Sequence, residues 1–263
     1  MKKKKIIKKK YRLKKKKPLL ENNALSALLI FSAVAVFFYY FLLFYPKFQV
    51  EQVVVESERS VNEESVANFI ITHAEKKSFP ASSKSMFFFH NKKMEKKVLS
   101  GMPVMKDVTI EKIFPNTIKL AIKERERAGM WCRNENMRAC YKIDEEGVAF
   151  QRTTQRKNDE LVLIKKEAFF SEGDNVFSQE QMNLFYQIKN NIEEQNLSLD
   201  YIVFHSTINI DVFLKENWRI QLSLEDIERG LENLDIVYNN LTEEEMIGLE
   251  YINLRFGDRI FIK

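Results

Sequence analysis

The chain has 263 residues, of which 45% are hydrophobic and 30% are charged, and its formal net charge is +5. This length suffices for one large domain or two small ones, and the hydrophobic content excludes a wholly disordered chain. Residues 1–17 hold 12 of the 42 Lys and Arg and no acid, so subtracting those 12 charges leaves −7 for residues 18–263. The part of the chain that can fold is therefore mildly acidic.

The basic residues form a tail, residues 1–23, directly before a long apolar segment. Cations next to a membrane span keep that end of the chain in the cytoplasm, so we predict that residues 46–263 are exported. An arm that binds nucleic acid through its lysines is the alternative. The position of the tail beside the span favours the topological role, and we predict no nucleic-acid partner.

Residues 24–45, ALSALLIFSAVAVFFYYFLLFY, contain no charge. As a helix they span about 33 Å, enough for a bilayer core of about 30 Å, so we predict a transmembrane helix in contact with membrane lipid. A cleaved signal peptide is the alternative, because Ala33-Val34-Ala35 has the small-x-small form. That triplet lies in the middle of the apolar run, whereas a cleavage site belongs at its polar end, which favours an uncleaved anchor.

Residues 46–126 predict a β-α-α-β-β order. A valine-rich strand, FQVEQVVVESE, precedes two amphipathic helix patterns, SVNEESVANFIITHAEKK and NKKMEKKVLSG. Two strands follow, PVMKDVTIEKIF and TIKLAIKER, and in the second one apolar and other side chains alternate from Ile118 to Lys123.

Residues 127–263 predict a β-rich region with flanking helices. Cys132 and Cys140 enclose RNENMRA, which could be a hairpin loop. A disulfide between them suits an exported domain; two free thiols or a metal site are the alternatives, and a metal would need further ligands nearby. The later elements are a strand in YKIDEEGVAF, a strand in LVLIKK, a helix in SQEQMNLFYQIKNNIEEQN, two or three strands in residues 201–223, and a helix from residue 224 capped by Ser223 and Asp226.

Several of these stretches resemble the FtsQ/DivIB family of bacterial division proteins. The matching positions are Pro103, Val104, Pro115, Asn116, Thr117, Glu124 and Arg125, then Ile143, Asp144 and Gly147, and finally Tyr251, Ile252, Leu254, Arg255 and Phe256. Asn253 replaces the usual Asp of the last motif, and the turn after the first strand lacks the frequent Gly. The resemblance implies an α+β chain with a transmembrane helix, a POTRA-like domain over 46–126 and an FtsQ-type β-domain over 127–263.

No enzymatic site is predicted. None of the three histidines, His73, His90 and His205, has a Cys, Asp or Glu at metal-ligand spacing, and no phosphate-binding loop or nucleophile elbow occurs. We therefore predict no catalytic residue, no metal and no cofactor. Carboxylates distant in sequence can still meet in a fold, so an envelope hydrolase stays an alternative.

The C-terminus, YINLRFGDRIFIK, predicts a strand, a tight turn at Gly257-Asp258 and a second strand. Alternation places Ile252, Leu254 and Phe256 on one face and Tyr251, Asn253 and Arg255 on the other. Such a hairpin either closes the sheet or offers an open edge to a partner strand.

The family resemblance favours the open edge, because it implies that the coiled-coil protein FtsB docks there in a complex with FtsL. The implied partner-binding residues are Tyr251, Asn253, Arg255, Phe256, Arg259 and Phe261. The predicted function is thus a non-enzymatic divisome scaffold at the septal plasma membrane, coupled indirectly to the septal peptidoglycan synthase. A POTRA-bearing component of polypeptide transport or secretion is the alternative, although no internal repeat is found.

Overall fold

The computed structural model describes residues 23–57, 62–75, 82–166 and 169–263. They form an N-terminal apolar helix, a three-stranded sheet and a nine-stranded sheet, which confirms the predicted α+β class. The basic tail lies outside the described residues apart from Asn23, and so does most of the turn after the first strand.

The order of helices and strands agrees with the sequence patterns, except that YKIDEEGVAF contributes to two strands instead of one and that a short helix precedes the last hairpin. The helices among the described residues are α1 (Asn23–Phe44), α2 (Glu63–His73), α3 (Asn91–Gly101), α4 (Gln179–Glu194), α5 (Ile227–Asn240) and α6 (Glu243–Met246). The strands are β1 (Gln52–Ser57), β2 (Met105–Ile113), β3 (Thr117–Glu124), β4 (Gly129–Cys132), β5 (Cys140–Ile143), β6 (Ala149–Thr153), β7 (Leu161–Ile164), β8 (Leu199–Phe204), β9 (Asn209–Leu214), β10 (Arg219–Ser223), β11 (Tyr251–Phe256) and β12 (Arg259–Ile262).

Helix α1 exposes apolar side chains all round, including Phe31 at 76% and Phe37 at 72%. A helix that is apolar on every side buries its surface in a protein core or in lipid. Residues Leu25–Phe44 are long and apolar enough, by length and composition, to cross a membrane.

The smaller sheet has the order β1-β3-β2, with β1 parallel and β2 antiparallel to the central β3. Its predicted β-α-α-β-β order is confirmed. The alternation predicted for β3 is also confirmed, because Ile118, Leu120 and Ile122 are buried. They belong to one core with side chains of α2 and α3, so both helices bury their apolar stripes against the sheet. Asn62 caps α2 by accepting a hydrogen bond from Ser65 N at 3.0 Å.

The larger sheet has the order β12-β11-β10-β9-β8-β7-β4-β5-β6. Most neighbouring strands are antiparallel, but β7 is parallel to both β4 and β8, and β11 is parallel to β10. Its main core contains apolar side chains of the sheet together with those of α4 and α5. The opposite face has a second, smaller core around Met130 and Val162.

Strands β4 and β5 form a hairpin whose loop is RNENMRA. Cys132 and Cys140 face each other at its end, and in the structure their sulfurs are bonded at 2.03 Å. Both residues are buried in the smaller core of the sheet. The bond closes a short loop at the point where the two strands diverge.

The buried carboxylate of Asp144 connects the two sheets. One oxygen, Oδ1, accepts hydrogen bonds from the amides of Glu146 at 3.0 Å and Val148 at 2.9 Å, which shapes the turn between β5 and β6. The other, Oδ2, binds the guanidinium of Arg125, the residue after β3. Arg125 also donates to the carbonyl of Pro103 at 3.2 Å. The family motif residues Arg125 and Asp144 thus meet at the junction of the two sheets.

A second ion pair lies on the surface beside this junction. Lys106 Nζ lies 2.9 Å from Glu145 and 3.0 Å from Glu146. Hydrogen bonds to these carboxylates raise the pKa of Lys106, and the bond from Lys106 lowers the pKa of Glu145. Lys106 and Glu145 therefore both stay charged at every pH between the ordinary pKa values of glutamate and lysine side chains.

Helix α5 begins later than predicted. Ser223 caps a 3-10 turn, Leu224–Asp226, and Asp226 precedes α5 without a side-chain capping bond. The cause is tertiary, because the amide of Leu224 donates to Ile208 O at 2.7 Å and holds the chain on the sheet for a few residues more.

Replacing Asp144 by Ala leaves the Arg125 guanidinium and two turn amides without their acceptor. We expect the free energy of unfolding to fall by about 3 kcal/mol, as when one partner of a buried ion pair is removed. Urea unfolding of the full chain in detergent micelles measures it. The matched control is Glu145→Gln, which removes a neighbouring carboxylate that is exposed, and its unfolding midpoint should stay close to that of the wild type. Equal midpoints for the two variants would contradict this role of Asp144.

Gly147 in the same turn has φ +79, and a Cβ there would lie 2.2 Å from Phe177 O. Gly248 has a similar φ of +89 with nothing within 4 Å of a Cβ, so it is a matched control for backbone strain alone. We expect Gly248→Ala to cost about 1 kcal/mol and Gly147→Ala about 3 kcal/mol or more, because the latter adds a steric clash. Urea unfolding of both variants tests the difference, and similar costs would show that the turn can shift.

Candidate partner-binding edge

The C-terminal hairpin forms as its sequence predicts. Strands β11 and β12 are joined by Gly257 and Asp258, and Gly257 has a φ of +61 that favours glycine. The side chain of Asn233 on α5 donates to Gly257 O at 3.1 Å. The turn is thereby tied to the helix layer that covers the main core.

Strand β12 forms one edge of the nine-stranded sheet. Strand β11 is an inner strand, because it pairs with β10 through Arg219, Ile220 and Gln221 and with β12 on the other side. Among the described residues, no strand pairs with the outer side of β12. The edge predicted for the C-terminus is therefore the edge of β12.

The register of β12 determines which backbone groups face outward. Tyr251 and Lys263 exchange both of their backbone hydrogen bonds, each at 3.1 Å. Antiparallel strands alternate between bonded and non-bonded pairs, so the N–H and C=O groups of Ile262 and Ile260 point away from β11. These groups can accept an additional strand.

The end of β12 is held in place by a second contact. Lys263 Nζ lies 2.9 Å from a carboxylate oxygen of Glu250, and this hydrogen bond raises the pKa of Lys263. The amide of Glu250 also donates to Lys263 O at 2.6 Å. The last residue of the chain is thus fixed beside the first residue of β11, which keeps the edge strand extended.

The predicted position of Phe256 is wrong. Ile252 and Leu254 are buried in the core as expected, whereas Phe256 is 59% exposed. The pairing of β11 with β12 shifts between Asn253 and Phe256, so β11 has one residue more than its partner over this stretch. A β-bulge of this kind moves the following side chain to the other face. Phe256 consequently packs edge-on against Phe261 of β12, with ring centroids 5.7 Å apart.

A chain of polar contacts runs from β11 across the helix-free face of the sheet. Asn253 Oδ1 accepts from both the backbone amide and Nε of Arg255, each at 3.2 Å. Arg255 Nη2 donates to Gln221 Oε1 at 2.6 Å, and Gln221 in turn donates to Asp211 at 3.3 Å. Asn253, which departs from the family motif, therefore has a defined role, because it orients Arg255.

Arg219 of β10 lies beside this polar chain. Its guanidinium lies 5.9 Å from the ring of Tyr251 and 5.7 Å from that of Phe213, at cation–π distances. Its Nε lies 3.3 Å from Asp211 Oδ2. The sequence analysis missed Arg219, Gln221 and Asp211. The alternation of polar and apolar residues in RIQLS was the available signal, since Arg219 and Gln221 must share one face of a strand.

The predicted partner-binding residues fall into two groups. Tyr251, Asn253 and Arg255 are half-buried on the inner strand β11, where they contact β10. Phe256, Arg259 and Phe261 are exposed at the turn and on the edge strand. Arg259 and Phe261 lie on β12, the strand whose backbone faces outward.

The histidines do not come together. His73 and His90 each lie near a backbone carbonyl, of Phe69 at 2.8 Å and of Phe88 at 2.7 Å. His205 follows β8 directly, and its Nε2 is 3.2 Å from Asp211. Within the described ranges, no group of three or more His, Cys, Asp or Glu side chains is placed to hold a metal ion.

Comparisons with known proteins agree with this architecture. Residues 48–125 match the family model for the POTRA domain, FtsQ-type. The chain is 25% identical over 228 residues to the cell division protein DivIB of Clostridium tetani (strain Massachusetts / E88), covering 83% of this chain and 81% of the relative. The domain match and this relative both support the resemblance to the FtsQ/DivIB family.

A second relative supports the same assignment over a shorter stretch. The cell division protein FtsQ of Aliivibrio fischeri (strain ATCC 700601 / ES114) is 23% identical over 158 residues, which cover 60% of this chain and 56% of the relative. The two relatives together support a cell-division protein of the FtsQ/DivIB type. Its one apolar N-terminal helix among the described residues fits a membrane-anchored member of the divisome.

The bulge in the C-terminal hairpin can be tested by a pair of truncations. Leu254→Ala should lower the free energy of unfolding by about 2–4 kcal/mol, because it empties part of the core. Phe256→Ala should lower it by less than about 1 kcal/mol, because surface substitutions cost little. Under strict alternation both side chains would be buried, and Phe256→Ala would then cost about 3–5 kcal/mol. Urea unfolding of the two full-length variants distinguishes these cases.

Proposed function

We propose that this protein is a non-enzymatic scaffold of the divisome whose edge strand β12 receives a strand from an FtsB-like bitopic partner, accompanied by an FtsL-like protein. The observation that carries the proposal is the open edge with apolar side chains. Phe261 and Ile262 are 49% and 47% exposed, and the backbone groups of Ile260 and Ile262 face outward. Backbone pairing supplies register and affinity in such docking, and side chains supply selectivity.

The half-buried residues of β11 take a supporting role in this proposal. Arg255 is held by Asn253 and Gln221, and Tyr251 contacts Arg219, so the helix-free face beside the edge is ordered before a partner arrives. A preorganised surface loses less conformational entropy on binding. Tyr and Arg are also the residue types that most often dominate binding energy at interfaces.

The proposed location rests on the N-terminal segment of the chain and on the disulfide. Helix α1 would anchor the protein in the plasma membrane, with the basic tail in the cytoplasm and residues 46–263 outside, at the division septum. The Cys132–Cys140 disulfide suits an extracytoplasmic domain, because disulfides persist in oxidising compartments. Action on the septal peptidoglycan synthase would be indirect, through the bound partners.

The transport alternative finds less support at β2, one of the two edges of the smaller sheet. A POTRA domain that binds unfolded polypeptides as added strands needs an accessible sheet edge. The edge of β2 is occupied at Ile110, where Asn91 Nδ2 donates to its carbonyl at 2.7 Å and Glu95 accepts from its amide at 3.1 Å. Side chains of α3 therefore block strand addition at the middle of β2.

Ile262→Pro tests the docking edge. Proline removes the outward N–H of β12 without breaking a bond to β11, so strand addition is blocked while the fold is kept. Both variants are compared as full chains in nanodiscs. We expect Ile262→Pro to bind the extracytoplasmic segments of the host's FtsB-like and FtsL-like proteins at least about tenfold more weakly than Ile262→Ala, which loses the side chain and keeps the amide.

Circular dichroism of both variants establishes that they are folded before the titration. Equal affinities of the Pro and Ala variants would contradict strand addition at β12 and move the site elsewhere. Absence of binding by the wild type would contradict the proposed partners as well.

A further inference from the structure

The end of α1 is fixed to the POTRA domain by side chains of that domain. Leu43 is only 1% exposed, and its carbonyl accepts from Ser83 Oγ at 2.5 Å and from Gln49 Nε2 at 2.7 Å. Ser85 Oγ donates to Leu42 O at 2.7 Å. The last carbonyls of a helix have no partners within the helix, so these bonds satisfy groups that otherwise need water. A membrane-spanning α1 would therefore hold the POTRA domain directly against the bilayer.

Aromatic rings continue from α1 onto the surface of the POTRA domain. Consecutive ring centroids are 4.6 Å apart for Phe41 and Tyr45, 5.5 Å for Tyr45 and Phe48, 5.0 Å for Phe48 and Phe87, and 5.4 Å for Phe87 and Phe114. The last two are on the domain and are 42% and 54% exposed. Such a contiguous apolar surface marks contact with a partner or a membrane.

We propose that this surface, formed by Tyr45, Phe48, Phe87, Ile113 and Phe114 and here called the interfacial face, lies in the headgroup region of the bilayer that α1 crosses. Ile113 directly precedes Phe114 in the chain and is 47% exposed. The proposal rests on the membrane anchor of the proposed function, but not on the docking of any strand at β12. Aromatic side chains favour the membrane–water interface because their rings are apolar and tolerate partial hydration.

The position of the interfacial face selects lipid over a protein partner. The ring series is continuous with α1, and the bonds to Leu42 and Leu43 fix its distance from the helix end. Whatever covers the face must therefore surround the helix where it leaves the hydrocarbon core. In a membrane that position is occupied by lipid headgroups.

Lysine side chains on the side of the POTRA domain that faces α1 fit an anionic headgroup layer. The ring of Phe88 lies 5.6 Å from that of Tyr39 on α1, so the cleft beside Phe88 opens close to the helix. This cleft of about 380 Å³ is lined by Lys93 and Lys97, together with His73, His90, Glu75 and apolar residues. Lys47 is exposed between Tyr45 and Phe48. Lysines near a bilayer surface are attracted to anionic lipids.

Site-directed spin labelling of the full chain tests the proposal. Single nitroxide labels are placed through Phe87→Cys and Phe114→Cys, since the native cysteines are bonded to each other. The protein is reconstituted, without other proteins, into vesicles of phosphatidylethanolamine and phosphatidylglycerol. Collision rates with oxygen, which concentrates in lipid, and with a water-soluble nickel complex are then compared. We expect the oxygen-to-nickel ratio at both positions to be several-fold higher than at Ile236→Cys.

Ile236 on α5 is a matched control, because it is 62% exposed and lies far along the chain from α1. Phe37→Cys within α1 reports on the anchor itself. A high oxygen-to-nickel ratio at position 37 combined with low ratios at positions 87 and 114 would contradict the proposed membrane contact of the interfacial face and leave the anchor intact. This outcome would also be expected if another protein covers the face. A low oxygen-to-nickel ratio at position 37 would contradict the membrane anchor, and with it the proposed membrane contact of the interfacial face.

Discussion

The buried Asp144 carboxylate holds together the two sheets of the protein. It accepts two amides of its own turn with one oxygen and the Arg125 guanidinium with the other, so the same group shapes the start of β6 and fastens the end of β3. A charge taken out of water is stable only when its partners are in place. The turn between β5 and β6 and the junction of the two sheets therefore depend on the same side chain. As a result, the large sheet begins at Gly129 in a fixed relation to the POTRA domain.

Beyond that junction the sheet is built so that its far edge stays open. The parallel pairing of β11 with β10 requires the chain to cross over through α5, and the hairpin then places β12 outermost. Natural edge strands are often protected by charge, bulges or covering loops. Here a bulge on β11 turns Phe256 toward Phe261, which increases the apolar surface beside the edge. A partner strand would gain both backbone bonds and this aromatic contact.

The two proposed contacts lie in different parts of the chain and depend on different physics. The interfacial face depends on aromatic rings held at a fixed distance from α1, whereas the β12 edge depends on unpaired backbone groups. Between them lie the POTRA domain and the Asp144 junction. A rigid connection of this kind would let a membrane anchor determine where the partner-binding edge is presented.

The sequence by itself determined the order of elements, the apolar anchor and the alternation in β3, because these depend on local periodicity and on the absence of charge in residues 24–45. It also determined the hairpin at Gly257-Asp258. Tertiary structure alone decided the face of Phe256, since a bulge appears only when two strands are paired. It likewise decided the late start of α5, the contacts of Asn253, and which strand became the edge. Each of these depends on a partner distant in sequence, such as Ile208 for Leu224 or Gln221 for Arg255, and local patterns contain no information about such partners.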